Sequence, residues 1–152
     1  MGIIESLQVY FSPPTFHNGA EVSIMTNDRS YLTVLGKESA LTHTTIRDNG
    51  INFTIEMPEI DRLYFRMTHG LYLSAEKEDY ISQVTEAGEK ETFYHVPVGG
   101  KAKDKFYIKT YNNKFVSIKN DFKVELVDIR EVTQCCHFDL SNKYVKDNTS
   151  LF

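Results

Sequence analysis

Seven lysines, Lys101, Lys103, Lys105, Lys109, Lys114, Lys119 and Lys123, fall within 23 residues that hold only two acids, Asp104 and Asp121. The stretch from Glu56 to Glu91 is the reverse, with nine acids and four basic residues. A local positive face steers a protein towards an acidic filament or an anionic membrane, even though the whole chain carries −4. Lysines also belong on the solvent side of alternating strands, where they deter edge-to-edge association. At the N-terminus, Met1-Gly2-Ile3-Ile4-Glu5-Ser6 fits the pattern for myristoylation of Gly2 after Met1 is removed. One such chain binds a membrane only marginally, with K on the order of 10⁴ M⁻¹, so stable anchoring needs a second signal.

Nothing else in the sequence assembles into catalytic machinery. Cys135-Cys136-His137 sets a thiol beside an imidazole, but neighbours on a strand point to opposite faces and do not form a nucleophile–base pair. Two cysteines and one histidine also leave a zinc site short of ligands. The pairs Glu76 with Glu78 and Glu89 with Glu91 have no reacting partner and read as solvated loop charge. There is no phosphate-binding glycine loop and no serine triad. The expectation is a non-enzymatic protein with no metal and no cofactor. The net charge gives no general drive towards nucleic acid. Carbohydrate is a second class of partner: there is no tryptophan, but Tyr107, Tyr111 and Tyr144 are candidate platforms for a sugar ring. Two adjacent cysteines and no disulfide framework point to a reducing, cytoplasmic compartment. No apolar run reaches the roughly 18 residues of a membrane-spanning helix, and Met1 to Tyr10 has no secretory-signal pattern.

The residues that would position these groups recur in three copies. Val22 to Val34, Leu63 to Ala75 and Lys105 to Ile118 each read as a strand, a tight turn and a second strand. The second strands are Tyr31-Leu32-Thr33-Val34, Tyr72-Leu73-Ser74-Ala75 and Phe115-Val116-Ser117-Ile118. Ile24, Phe65 and Ile108 each precede the first residue of their quartet by 7. A downstream anchor follows in each copy: Phe53-Thr54-Ile55, Tyr94-His95-Val96 and Phe138-Asp139-Leu140, at separations of 22, 22 and 23. Repeats of this kind decide the fold before any local reading does.

The repeats run over about 22–57, 63–98 and 106–142, within one domain of 152 residues. Each holds four short strands, the third at Ala40–Thr42, Tyr80–Ser82 and Lys123–Leu126. A further strand is expected at Ser6–Phe11. No helical period interrupts them. One unit cannot bury its apolar face alone, but three around a common axis give twelve strands, six closing a barrel and six capping it. The fold expected is an all-β β-trefoil. Its core takes Ile24, Leu32, Val34, Leu41, Phe53 and Ile55 from the first repeat. The equivalents are Phe65, Leu73, Ile81, Tyr94 and Val96, then Ile108, Val116, Ile118, Val124, Phe138 and Leu140.

Gly70-Leu71-Tyr72-Leu73-Ser74-Ala75-Glu76 and Asn113-Lys114-Phe115-Val116-Ser117-Ile118 resemble the signature of fascin-type trefoils, and the hisactophilin-like branch in particular. The likeness covers about Leu63 to Leu140, through Thr92–Val96, Gly99-Gly100-Lys101 and Ile108-Lys109-Thr110, and is weaker in the first repeat. It implies a cytoskeletal module that contacts actin filaments, with membrane association through an acylated Gly2. This chain has five histidines, so the resemblance does not carry over a histidine-rich surface. The alternatives are a lectin of the same fold and a trefoil signalling ligand.

Overall fold

The computed structural model describes residues 17–26, 29–45, 52–99, 102–118, 124–128 and 138–140, without the side chains of 99, 102–104 and 138–140. Among these residues the chain is all-β, as expected. The first run is β1 (Glu21–Val22) and β2 (Ile24–Thr26), followed by β3 (Tyr31–Val34), β4 (Leu41–Thr44) and β5 (Phe53–Glu59). Next come β6 (Arg62–Arg66), β7 (Tyr72–Ser74) and β8 (Ser82–Val84), one 3₁₀ turn at Glu89–Glu91, and β9 (Phe93–Gly99). The last strands are β10 (Ala102–Thr110), β11 (Phe115–Ile118), β12 (Val124–Val127) and β13 (Phe138–Leu140). The strand expected at Ser6–Phe11 lies outside the described residues.

The pairing closes on itself. β1 pairs with β5, then β5 with β6, β6 with β9, β9 with β10, β10 with β13, and β13 with β2, every pair antiparallel. Only Ser23 separates β1 from β2, so this path is a closed ring, and closure removes the free edges on which strands aggregate. Three hairpins, β3–β4, β7–β8 and β11–β12, hang from it through the pairs Met25↔Tyr31, Arg66↔Tyr72 and Lys109↔Phe115.

The turns leading into the hairpins are built alike. In each, a backbone N–H donates to a carbonyl four residues on: Thr26 to Ser30, Met67 to Leu71 and Thr110 to Lys114. The carbonyls of Thr26, Met67 and Thr110 accept in turn from the N–H of Arg29, Gly70 and Asn113. Those three residues have positive φ, the left-handed conformation a tight turn demands. Across the ring, Ile24, Phe65 and Ile108 pair with Leu140, Ile55 and His95.

Among the described residues eighteen buried apolar side chains form the core, with Phe53, Ile55, Ile81 and Phe106 fully enclosed. Burying each is worth roughly 1.5–3 kcal/mol. Where the hairpins meet the ring, Ile24, Leu32, Leu41, Phe65, Leu73, Ile81, Phe93, Ile108 and Val116 surround a void of about 10 Å³. It is apolar and holds one water at most, so it is dry.

Three expected details differ. Phe93, not Tyr94, faces inward on β9, because 21 residues rather than 22 separate Tyr72 from its anchor. Tyr94 and Val96 therefore lie on the half-buried outer face, and His95 takes the inward position. β8 starts at Ser82 and not Tyr80: the Ile81 carbonyl accepts from Leu41 N–H in the neighbouring hairpin, so the ladder with β7 begins one residue later. Val34 and Ile118 only pack against the rim of the core.

Candidate functional site

β10 alternates cleanly, with Phe106, Ile108 and Thr110 buried and Lys105, Tyr107 and Lys109 on the outer face. The register sets Tyr94 of β9 beside Lys109, and Arg62 of β6 beside Tyr94. Lys109 Nζ lies 5.0 Å from the centre of the Tyr94 ring, within cation–π range. Tyr107 meets the buried Phe115 edge-on at 6.1 Å. Lys114, in the β10–β11 turn, is 2.6 Å from Asp128 Oδ1. Of the seven lysines, then, Lys105 and Lys109 share one face, while Lys114 is held by a carboxylate. The positions of Lys101, Lys119 and Lys123, the side chain of Lys103, and Gly2 lie outside the described residues, as do Cys135, Cys136, His137 and Tyr144.

Beside this face, Glu56 and Arg66 pair at 3.1 Å, and the Tyr72 hydroxyl donates to Glu56 Oε1 at 3.0 Å. Burial and the Glu56 carboxylate both push the Tyr72 phenol upward from its ordinary value. Arg62 is matched by Glu59 at 3.3 Å. Much of the positive charge on the outer wall is thus answered within the fold. Tyr111 packs against the core instead of standing free.

A concavity forms elsewhere, where the chain leaves β7 and returns through the 3₁₀ turn. Glu76, Val84, Thr85, Glu86, Glu89, Lys90 and Glu91 line a cleft of about 430 Å³. Its organising group is Glu91, which is 7% exposed and so is not the solvated charge expected of it. Glu91 Oε2 accepts from Ser74 Oγ at 2.5 Å, and Oε1 accepts from Gly88 N–H at 2.8 Å. Ser74 is fully buried on β7, and its Oγ also accepts from Glu76 N–H. A short chain of bonds thus fixes one wall of the cleft to the barrel. Glu76, Glu86, Glu89 and Lys90 stand exposed around it. The Glu89 and Glu91 pair was visible in the sequence; its closure onto Ser74, 17 positions earlier, was not. No group of His, Cys, Asp and Glu able to hold a metal ion occurs among the described residues.

The four described histidines do different things. His17 is exposed. His43 is buried, with Nδ1 2.8 Å from Ser30 Oγ, itself bonded to Thr26 Oγ1. His69 Nε2 bonds Gln83 Oε1 at 2.8 Å, while Gln83 Nε2 donates to the carbonyls of Gly36 and Ser39 in the preceding hairpin. His95 packs against Phe106 in a tilted arrangement at 4.9 Å, and burial lowers its pKa below the usual imidazole value. Ser30 is 1% exposed, so no substrate reaches the Ser30–His43 pair.

No protein-family model and no curated protein matches the chain. Solved structures do resemble it. One is the cytolethal distending toxin of Haemophilus ducreyi, at TM-score 0.64 and 18% identity, covering 80% of this chain and 82% of that one. Another is Cry35Ab1, at TM-score 0.68 and 11% identity, where 83% of this chain spans only 36% of the other. A Caenorhabditis elegans protein of unknown function aligns at TM-score 0.63 and 13% identity, over 86% and 98% of the two chains. At these identities the likeness is one of fold. Among the described residues no helix is long and apolar enough to cross a membrane.

Proposed function

We propose that the chain is a β-trefoil domain that works by binding, and that it takes a carbohydrate in the cleft floored by Glu91. The threefold recurrence of turn and register supports the trefoil. The cleft carries the functional reading. Its volume of about 430 Å³ lies in the range of roughly 300–1,000 Å³ usual for small-molecule sites. Carboxylates accept hydrogen bonds from sugar hydroxyls, the Lys90 ammonium donates one, and Val84 offers apolar surface to a ring face. Glu91 is held in place before any ligand arrives, which lowers the cost of ordering on binding. A glycan array followed by calorimetry with the free sugar tests this reading. Binding that competes with free sugar and weakens at least tenfold in Glu86→Ala and Thr85→Ala is expected. Binding to no glycan, or binding indifferent to both substitutions, overturns it.

A second reading follows from Lys105 and Lys109 on the outer face of β10. There the domain is a fascin- or hisactophilin-like module that docks on actin filaments, with an acylated Gly2 bringing it to the membrane. It predicts co-sedimentation with filamentous actin that falls with added salt and is lost in the double variant Lys105→Glu/Lys109→Glu. Absence of pelleting at low salt removes it. Intact mass of the chain from its native source reads the acylation of Gly2 directly.

A further inference from the structure

Asn52-Phe53-Thr54 is an Asn-x-Thr triplet, the acceptor pattern for N-linked glycosylation. We propose that Asn52 carries an N-linked oligosaccharide. Phe53 opens β5 and is fully buried. Asn52 and Thr54 flank it, and both are partly exposed. Neither residue belongs to the buried apolar cluster. Asn52 Oδ1 is buried without a hydrogen-bond partner. A buried, unpaired carbonyl costs stability.

The donor is an oligosaccharide linked through pyrophosphate to a membrane lipid. Asn52 Nδ2 attacks the anomeric carbon, the nitrogen–carbon bond forms, and the carbon–oxygen bond to pyrophosphate breaks. The lipid pyrophosphate leaves with the electron pair, and one amide proton is lost. Thr54 pairs with Glu21 of β1 and Arg66 of β6 in the finished ring, so transfer precedes the docking of β5. This inference is independent of the cleft. It does require that the chain enter a secretory pathway, contrary to the cytoplasmic compartment expected from its cysteines.

The test is translation of the full chain behind a cleavable secretory leader, with endoplasmic-reticulum microsomes, so that the readout does not depend on folding. The background is Asn148→Gln, because Asn148-Thr149-Ser150 is a second triplet of the same pattern. The expected result is a heavier form that peptide-N-glycosidase collapses, leaving Asp at position 52. Thr54→Ser retains that form, whereas Asn52→Gln and Thr54→Val abolish it. No heavier form in the Asn148→Gln background, or one that survives Asn52→Gln, overturns the proposal.

Discussion

Arg29 and Asn113 share a φ of 67° at matching points of turns in the first and third segments of the chain. Gly70 fills the same point in the second, at 95°. The left-handed region costs a side-chain-bearing residue roughly 1–2 kcal/mol, and asparagine tolerates it better than arginine does. Glycine avoids that cost but gives back about 0.5–1 kcal/mol of backbone entropy. Arg29→Gly is therefore expected to stabilise the protein by roughly 0.5–1 kcal/mol, and Asn113→Gly by less. Gly70→Ala should destabilise by about 1 kcal/mol through the backbone alone, since a Cβ there meets nothing within 4 Å. Urea midpoints at constant m decide all three.

The Ser74–Glu91 bond makes a sharper demand. Removing the carboxylate strands a buried hydroxyl and the Gly88 N–H, and hydrogen bonds to charged groups contribute roughly 1.5–3 kcal/mol. Glu91→Ala should cost about 2–3 kcal/mol, and Glu91→Gln less, because one oxygen remains to accept. Chemical denaturation measures the loss. An Ala variant as stable as the parent would show that Glu91 is an ordinary surface acid.

His95 sets the pH dependence. Burial holds its pKa below the unfolded value, so the native state prefers the neutral ring. Above the unfolded value of about 6.5 both states are neutral and the stability is fully present. As pH falls below that, the unfolded chain takes up a proton first, and stability declines until the folded pKa is passed. His95→Leu should flatten this slope below about pH 6.5 relative to the parent. Equal slopes would exclude His95 as its source.

Lys114 and Asp128 are both more than a third exposed at the side chain. Such pairs are worth roughly 0–1 kcal/mol, so Lys114→Ala should change stability by less than about 1 kcal/mol. A double-mutant cycle with Asp128→Ala reads the coupling, and added salt should erase most of it.

The all-β class was legible in the sequence because apolar residues at period two recur with the turns that join them. Ile24, Phe65 and Ile108, with Leu32, Leu73 and Val116, meet around the central void as their spacing implied. The pattern failed on β9, where Phe93-Tyr94 offers two adjacent aromatics and alternation alone cannot say which faces in. Packing decides: Phe93 contacts Phe65 at 5.4 Å, and the Tyr94 hydroxyl is left on the wetter side. The lysines were legible as a cluster, but the pairing of Lys114 with Asp128 and the packing of Lys109 over Tyr94 were not, because both partners lie beyond any local window. The cleft was invisible for a similar reason. Its wall depends on a contact between β7 and the 3₁₀ turn, which composition does not encode.

The seal at Ser23 has a consequence for how the molecule is made. The first run of the chain needs β5 on one flank and β13 on the other before every backbone group in it is satisfied. On the ribosome that early segment waits, half-dressed, until Leu140 has emerged. Long-range pairing of this kind slows folding, and any truncation that removes Phe138–Leu140 leaves β2 and β10 each offering a bare flank to another copy.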